Sequence, residues 1–310
     1  MKNTLQVINE QVIHHPAAFI KSAEDDYRND LLEIAERIAN NEKIKIVAIA
    51  GPSASGKTTT AHILCDRLRA LGETAEIISL DNFYLPTDLL PVLPNGKADI
   101  ESVHSLDIEL IESCFKGLID TGVSLLPAYD FTKKERSLAA KRIDISAGGI
   151  VIVEGLHALN PLITDHLPRE NFFKIYVSVN RPILDEKGKK LLSSRQLRLI
   201  RRSLRDETFR STPINTTLVL WQGVVEGEEK YLYCYKDTAD AQLKTLHLYE
   251  PGLYRGRFLG MRDEVLPSSP YYEYFLKTAA AIEKFHLLDE SMIPEESLIR
   301  EFIGGGSFAL

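Results

Sequence analysis

The sequence predicts an α/β protein built on a doubly wound parallel sheet. Apolar runs recur as "KIVAIA", "IVIVE" and "FKIYVSV", too continuous for half-exposed strands and typical of strands buried on both faces. Helical patterns separate them, as crossover connections between parallel strands require. The stretch "GPSASGKTTT" joins the first strand to a helix, at the edge of the sheet where ligands of such folds collect.

In chain order, Tyr27, Leu31, Ile34 and Ile38 fall on one helical stripe between Glu24 and Asn41, which reads as a helix packed outside the core that follows. Ile44 to Ala50 is the first buried strand, Lys57 to Leu71 a helix with Gly72 as its left-handed terminator, and Glu76 to Leu80 a second strand. Further strands follow at "GGIVIVEG" and at Phe173 to Val179. The proline-rich "LPTDLLPVLPNGKAD" is a loop. The last 60 residues form an extension packed on the core, and "GGGS" marks a loose tail.

Composition narrows the function. With 310 residues the chain can bury a substantial core. A net charge of −7 without long single-sign blocks argues against general nucleic-acid or membrane-surface binding. Three cysteines, Cys65, Cys114 and Cys234, lack metal-ligand spacing and read as buried thiols in a reducing compartment. No apolar run suits a signal peptide or a membrane span, so a cytoplasmic protein is expected.

Gly51, Gly56, Lys57 and Thr58 complete G-x-x-x-x-G-K-[ST] between a strand and a helix. The glycines let the backbone of Ser53, Ala54 and Ser55 wrap an anion, amide groups up to Thr59 face it, Lys57 reaches the terminal phosphates and Thr58 ligates magnesium. The expected fold is therefore a P-loop NTPase. Guanine recognition through Asn-Lys-x-Asp is missing, and "IVIVE" ends in one acid rather than an Asp-Glu pair. A kinase is favoured over a switch or a motor.

Three further features bear on phosphoryl transfer. Asp81 follows the second strand and can accept a hydroxyl proton, or it caps a turn. Glu154 ends a buried strand, where a carboxylate meets magnesium, directly or through water, or pairs with a basic neighbour. Arg195, Arg198, Arg202 and Arg205 share a helical stripe opposite Leu197, Ile200 and Leu204. They form a lid over transferring charge or a solvated basic face.

Together "GPSASGKTT", "SLDNFY", "LPAYDF", "IVIVEG" and "RLIRRSLRD" stand in the order and approximate spacing of the uridine kinase and phosphoribulokinase family, which the chain resembles from Lys43 to Asp240. The ending "SMIPEESLIREFIGGGSF" resembles that of a bacterial uridine-kinase-like branch. The resemblance implies a helical lid and makes Asp81 the general base, with Tyr84 beside the acceptor. It places Tyr129 and Phe131 in the base pocket, Glu154 near magnesium, and Arg202, Arg205 and Arg210 on the phosphates. From the residues alone, Tyr129 and Phe131 could equally be strand core. Departures lie on the acceptor side: Glu101 replaces an aspartate that grips ribose, Lys134 replaces a histidine while Arg136 remains, and Thr212 replaces an arginine. His104 lies in the same divergent loop.

These expectations divide the chain into an N-terminal helical extension (1–42), a P-loop kinase domain (43–250) and a C-terminal extension (251–310). The expected activity is ATP- and magnesium-dependent phosphorylation of a small-molecule acceptor. Uridine leads, with a sugar phosphate or pantothenate as rivals and a non-catalytic ATP-binding regulator as the alternative from another class. No nucleic-acid or membrane partner is expected. Family members often form dimers or tetramers.

Overall fold

Alternation along β1 (Ile46–Ala50) divides the core: Val47 and Ile49 join one apolar cluster, and Ile46, Ala48 and Ala50 the other. A strand without a polar face needs cover on both sides. The computed structural model, which describes residues 2–308 apart from 95, 131, 132 and 134, provides that cover around a five-stranded sheet. Its other strands are β2 (Ala75–Ser79), β5 (Ile150–Glu154), β6 (Phe172–Ser178) and β9 (Ala241–Lys244), in the order β2-β5-β1-β6-β9. All pairings are parallel, with Val47 between Ile152 and Phe173. The chain leaves β1 toward β2 on one side and later toward β6 and β9 on the other, so the switch point lies at the carboxyl end of β1.

One face is covered by α1 (Leu5–His14), α2 (Pro16–Ala39), α3 (Lys57–Ala70), α6 (Ser194–Arg210), α7 (Ile214–Tyr231), α8 (Glu250–Gly260), α9 (Tyr272–Ile282) and α10 (Arg300–Ile303). The other carries α4 (Ile108–Thr121), α5 (Pro161–Thr164) and an antiparallel pair, β3 (Val123–Asp130) with β4 (Glu135–Asp144). A small hairpin of β7 (Ile183–Leu184) and β8 (Lys190–Leu192) precedes α6.

Local chemistry sets the helix ends. Asp107 accepts from the Leu110 amide to open α4, which closes at Gly122 with φ 74°. Ser193 and Gln196 form a capping box that opens α6. No helix among the described residues is long and apolar enough to cross a membrane.

Most element boundaries shift from the sequence expectation by only one or two residues, and two of the differences have a clear physical reason. The strand expected at Glu76 to Leu80 is Ala75–Ser79, because Leu80–Phe83 coils into a 3-10 turn capped by Ser79. The helix expected between Glu24 and Asn41 is α2, which begins at Pro16, and Tyr27, Leu31, Ile34 and Ile38 are buried in the same cluster as Val47 and Ile49 rather than outside it. Its Glu24 is 2% exposed and accepts from Tyr249 Oη and Ser297 Oγ, both at 2.5 Å. The helix before the sheet and the segment after it are thus joined to each other. The "GGGS" stretch is also tied down: Ser307 N–H donates to Glu295 O and Arg300 Nη1 to Gly304 O.

Candidate active site

The loop between β1 and α3 is shaped by two glycines. A Cβ on Gly51 would stand 2.2 Å from the Val177 carbonyl oxygen of β6, so any larger residue pushes the loop off the sheet. Gly56 takes φ +90°, and Leu298 packs directly over it. Lys57 folds back along the loop, its Nζ donating to Pro52 O at 3.2 Å. Burial lowers its pKa, and Glu154, Glu301, Asp81 and Glu228 oppose that shift. The buried Ser55 hydroxyl has no hydrogen-bond partner among the described residues, an open polar group in a cradle of amides.

Side chains from distant elements hold the loop's outer edge. Ser53 N–H donates to Glu228 Oε1 of α7 at 2.8 Å, Ser53 Oγ accepts from Arg202 Nη1 at 2.8 Å, and Ser53 O accepts from Arg198 Nη1 at 3.0 Å. Ala54, at φ 57°, turns its carbonyl toward Arg201 Nη1 at 3.4 Å. Thr58 lines the cleft. Thr59 turns elsewhere: its N–H and hydroxyl both donate to Glu301 Oε2, at 3.3 and 2.8 Å.

Two carboxylates face Lys57. Ser79 Oγ accepts the Asp81 N–H at 3.3 Å and so caps the turn after β2, while the Asp81 carboxylate lines the cleft. Enclosure by the cleft walls raises its pKa, and Lys57, Arg210 and Arg205 pull it back. Glu154 closes β5 opposite Ser79 and is 8% exposed. Burial and then the Asp81 charge push its pKa up to about 7, against Lys57 and a hydrogen bond from Ser79.

The expected arginine stripe divides. Arg202, Arg205 and Arg210 line the cleft, gathered by Asp206, which lies 3.2 Å from Arg202 Nε, 3.2 Å from Arg205 Nη2 and 3.4 Å from Arg210 Nη1. Arg195 pairs with Glu229 at the surface, whereas Arg198 is buried against Glu228. Arg201, unremarked in the sequence, is fully buried and forms a two-pronged pair with Glu250.

On the remaining wall Tyr84 and Glu101 line the cleft. Tyr84 Oη donates to Ile100 O at 3.1 Å, and the Tyr129 ring lies 5.8 Å from that of Tyr84. Glu101 packs on Gly227 of α7, where a Cβ would come within 2.6 Å of Glu101 Cβ. Burial raises the Glu101 pKa. Arg136 is not among the cleft residues; its Nη1 pairs with Asp107 at 2.8 Å, which ties the β-hairpin to the start of α4. Phe131 and Lys134 lie outside the described residues. His104 is exposed, while His157 is buried, bonds the Glu101 backbone and has its pKa lowered to about 4 by burial.

The cleft encloses about 230 Å³. Sequence reasoning missed four of the carboxylates and cations that shape it: Asp206, Glu228, Glu301 and Arg201. Arg201 left a signal, since it stands four residues after Leu197 and three before Leu204, on the apolar stripe. Glu228 and Glu301 left none that is local.

A parallel sheet whose first strand runs through this glycine-rich loop into a helix defines a P-loop protein. Residues 46–187 match the model of the phosphoribulokinase / uridine kinase family. A uridine kinase of Mycoplasma genitalium is 30% identical over 185 residues, 60% of this chain and 77% of that protein. A uridine kinase of Lactobacillus helveticus is 28% identical over 185 residues, 60% of this chain and 78% of its own. Among solved structures, a possible uridine kinase from Bacillus stearothermophilus aligns with a TM-score of 0.47 at 17% identity, covering 71% of this chain and all of that one. The chain belongs to the phosphoribulokinase and uridine kinase family and is a kinase, a phosphotransferase. Asp81, Glu101 and Glu154 fall inside the matched residues; the arginines of α6 and Glu301 lie beyond them.

Proposed function

We propose that the chain transfers the γ-phosphoryl group of ATP to the 5′-hydroxyl of a nucleoside, uridine first. One observation carries the reading: Asp81 opens into a polar cleft that it shares with Lys57, Arg202, Arg205 and Arg210, and Lys57, Arg210 and Arg205 all act on its charge. Asp81 accepts the acceptor hydroxyl's proton as its oxygen attacks phosphorus. Lys57 and the arginines stabilise the charge spread over the equatorial oxygens, and Asp206 keeps the arginines together.

The residues present suit magnesium. Thr58 offers a hydroxyl, and Glu154 is a carboxylate whose pKa is raised by burial and then by the neighbouring Asp81 charge, an environment that a bound cation would relieve. Magnesium there would neutralise phosphate charge. Tyr84 and Glu101 form the acceptor wall, with Glu101 suited to accept hydrogen bonds from ribose hydroxyls.

The uridine kinases of M. genitalium and L. helveticus support a nucleoside acceptor. A second reading, phosphorylation of another hydroxyl such as that of a sugar phosphate or pantothenate, is favoured by Arg136, which is committed to Asp107 rather than turned to the cleft. The test is ADP release from Mg-ATP with uridine, cytidine, other nucleosides, ribulose 5-phosphate and pantothenate as separate acceptors. Stimulation by uridine or cytidine that disappears in Asp81→Asn supports the first reading. Stimulation by one of the other acceptors alone replaces it.

A further inference from the structure

Thr59 stands on the first turn of α3, where backbone N–H groups and the helix dipole receive an anion. In a P-loop those groups cradle the phosphate chain of the donor. Here both Thr59 donors are already held by a carboxylate, Glu301 Oε2, at 2.8 Å from the hydroxyl and 3.3 Å from the amide nitrogen. Glu301 lies 242 residues further along the chain and is 5% exposed. It is an anion in the place of an anion.

The surrounding segment is built to keep it there. Leu298 packs over Gly56, at the turn into α3. Arg300 donates to Glu290 O, Ile293 O and Gly304 O, pinning both ends of the short helix that carries Glu301. The cleft that remains, about 230 Å³, is smaller than the roughly 300–1,000 Å³ usual for small-molecule sites. Glu301 is itself one of the residues that line this cleft.

Resting on the ATP donor reading above, we propose that Glu301 is a donor-specificity residue. Its carboxylate holds on α3 the place of one phosphate group, and donor binding exchanges the two. Affinity is then the difference between two anions competing for the same donors. A triphosphate with further contacts to Lys57 and the arginines displaces Glu301. A monophosphate, with little beyond the exchanged group, does not.

The test is calorimetric titration of Mg-ATP and of tripolyphosphate into the full chain, as wild type, Glu301→Gln and Arg300→Ala. Glu301→Gln keeps the shape and removes the charge; Arg300→Ala loosens the segment without touching Thr59. Both are expected to bind Mg-ATP more tightly, Glu301→Gln by about 2- to 30-fold, the range for a charge at a helix N-terminus. Hydrogen exchange of wild type is expected to show residues 297–303 becoming less protected when Mg-ATP binds. Equal or weaker binding in both variants, with wild type binding ATP, overturns the role of Glu301 alone. No binding of either polyphosphate to any of the three overturns it together with the donor reading. Stronger protection of 297–303 in liganded wild type also overturns it, and stands even if a variant misfolds.

Discussion

Glu228 grips Arg198 through both carboxylate oxygens, at 2.6 and 2.8 Å, with both side chains out of water. The pair also holds the P-loop at Ser53, by its amide and its carbonyl. Breaking a buried pair leaves an uncompensated charge, so Glu228→Leu is expected to cost about 3–5 kcal/mol. The double variant Arg198→Met with Glu228→Leu should recover most of that stability. It should not recover donor affinity, because the Ser53 backbone has lost both of its supports and only the side-chain bond to Arg202 remains. Urea unfolding and nucleotide titration of the three proteins separate the two effects.

Asp81→Asn removes the proton acceptor while keeping the shape of the turn, which Ser79 caps. Turnover is expected to fall by about 10²–10⁴-fold, the usual contribution of a positioned base. ATP affinity should change little. A parallel loss of ATP binding would show that Asp81 serves the donor instead.

Asp206 is almost completely buried and faces three guanidinium groups. Asp206→Asn removes the charge that gathers them without deleting any of them, so kcat is expected to fall by less than the roughly 10²–10³-fold that follows outright loss of one charge-stabilising donor, about 10- to 100-fold. The KM for the acceptor should stay within a few-fold. Asp206→Glu should fall between the two proteins. A uniform loss of stability with unchanged kcat in the folded fraction would rule out a positioning role.

Glu154 makes stability depend on pH. Its folded-state pKa, about 7, lies above the ordinary carboxylate value of 4.5. The folded chain therefore binds this proton more tightly than the unfolded chain. Stability from this group is greatest below about pH 4.5 and is lost as pH rises toward 7, by on the order of 2–3 kcal/mol. Glu154→Gln should flatten that slope and unfold at higher urea than wild type at pH 7.5. Identical slopes between pH 5 and pH 7.5 would contradict the assignment.

Much of this site was legible because its residues sit at ends of strands. An apolar run that stops at Gly51 or at Glu154 announces its own last residue, and a parallel sheet places those ends together. The glycine pattern carried its geometry with it, and the sheet and its covering helices follow from the same apolar runs. The arginines were legible only as a stripe. Which of them turns inward was decided by Glu228, Glu250 and Asp206, and the first two partners lie 30 and 49 residues beyond theirs. Glu301 was hidden for the same reason, since nothing local to Thr59 points 242 residues ahead. Arg136 shows the converse: it stands where the motif puts it, yet an unremarked neighbour, Asp107, takes its charge.

The bond between Glu24 and Ser297 spans 273 residues, and that span has a meaning in time. On the ribosome α2 is finished long before the residue that completes its burial exists. At elongation rates of about 5–20 residues per second, the wait is roughly 15–55 s. Over that interval the carboxylate of Glu24 and the apolar stripe beside it have no native cover from the end of the chain. The sheet can assemble as its strands emerge. The outer wrap that ties α2 to the segment around Ser297 can close only afterwards, making it a late and slow step of folding.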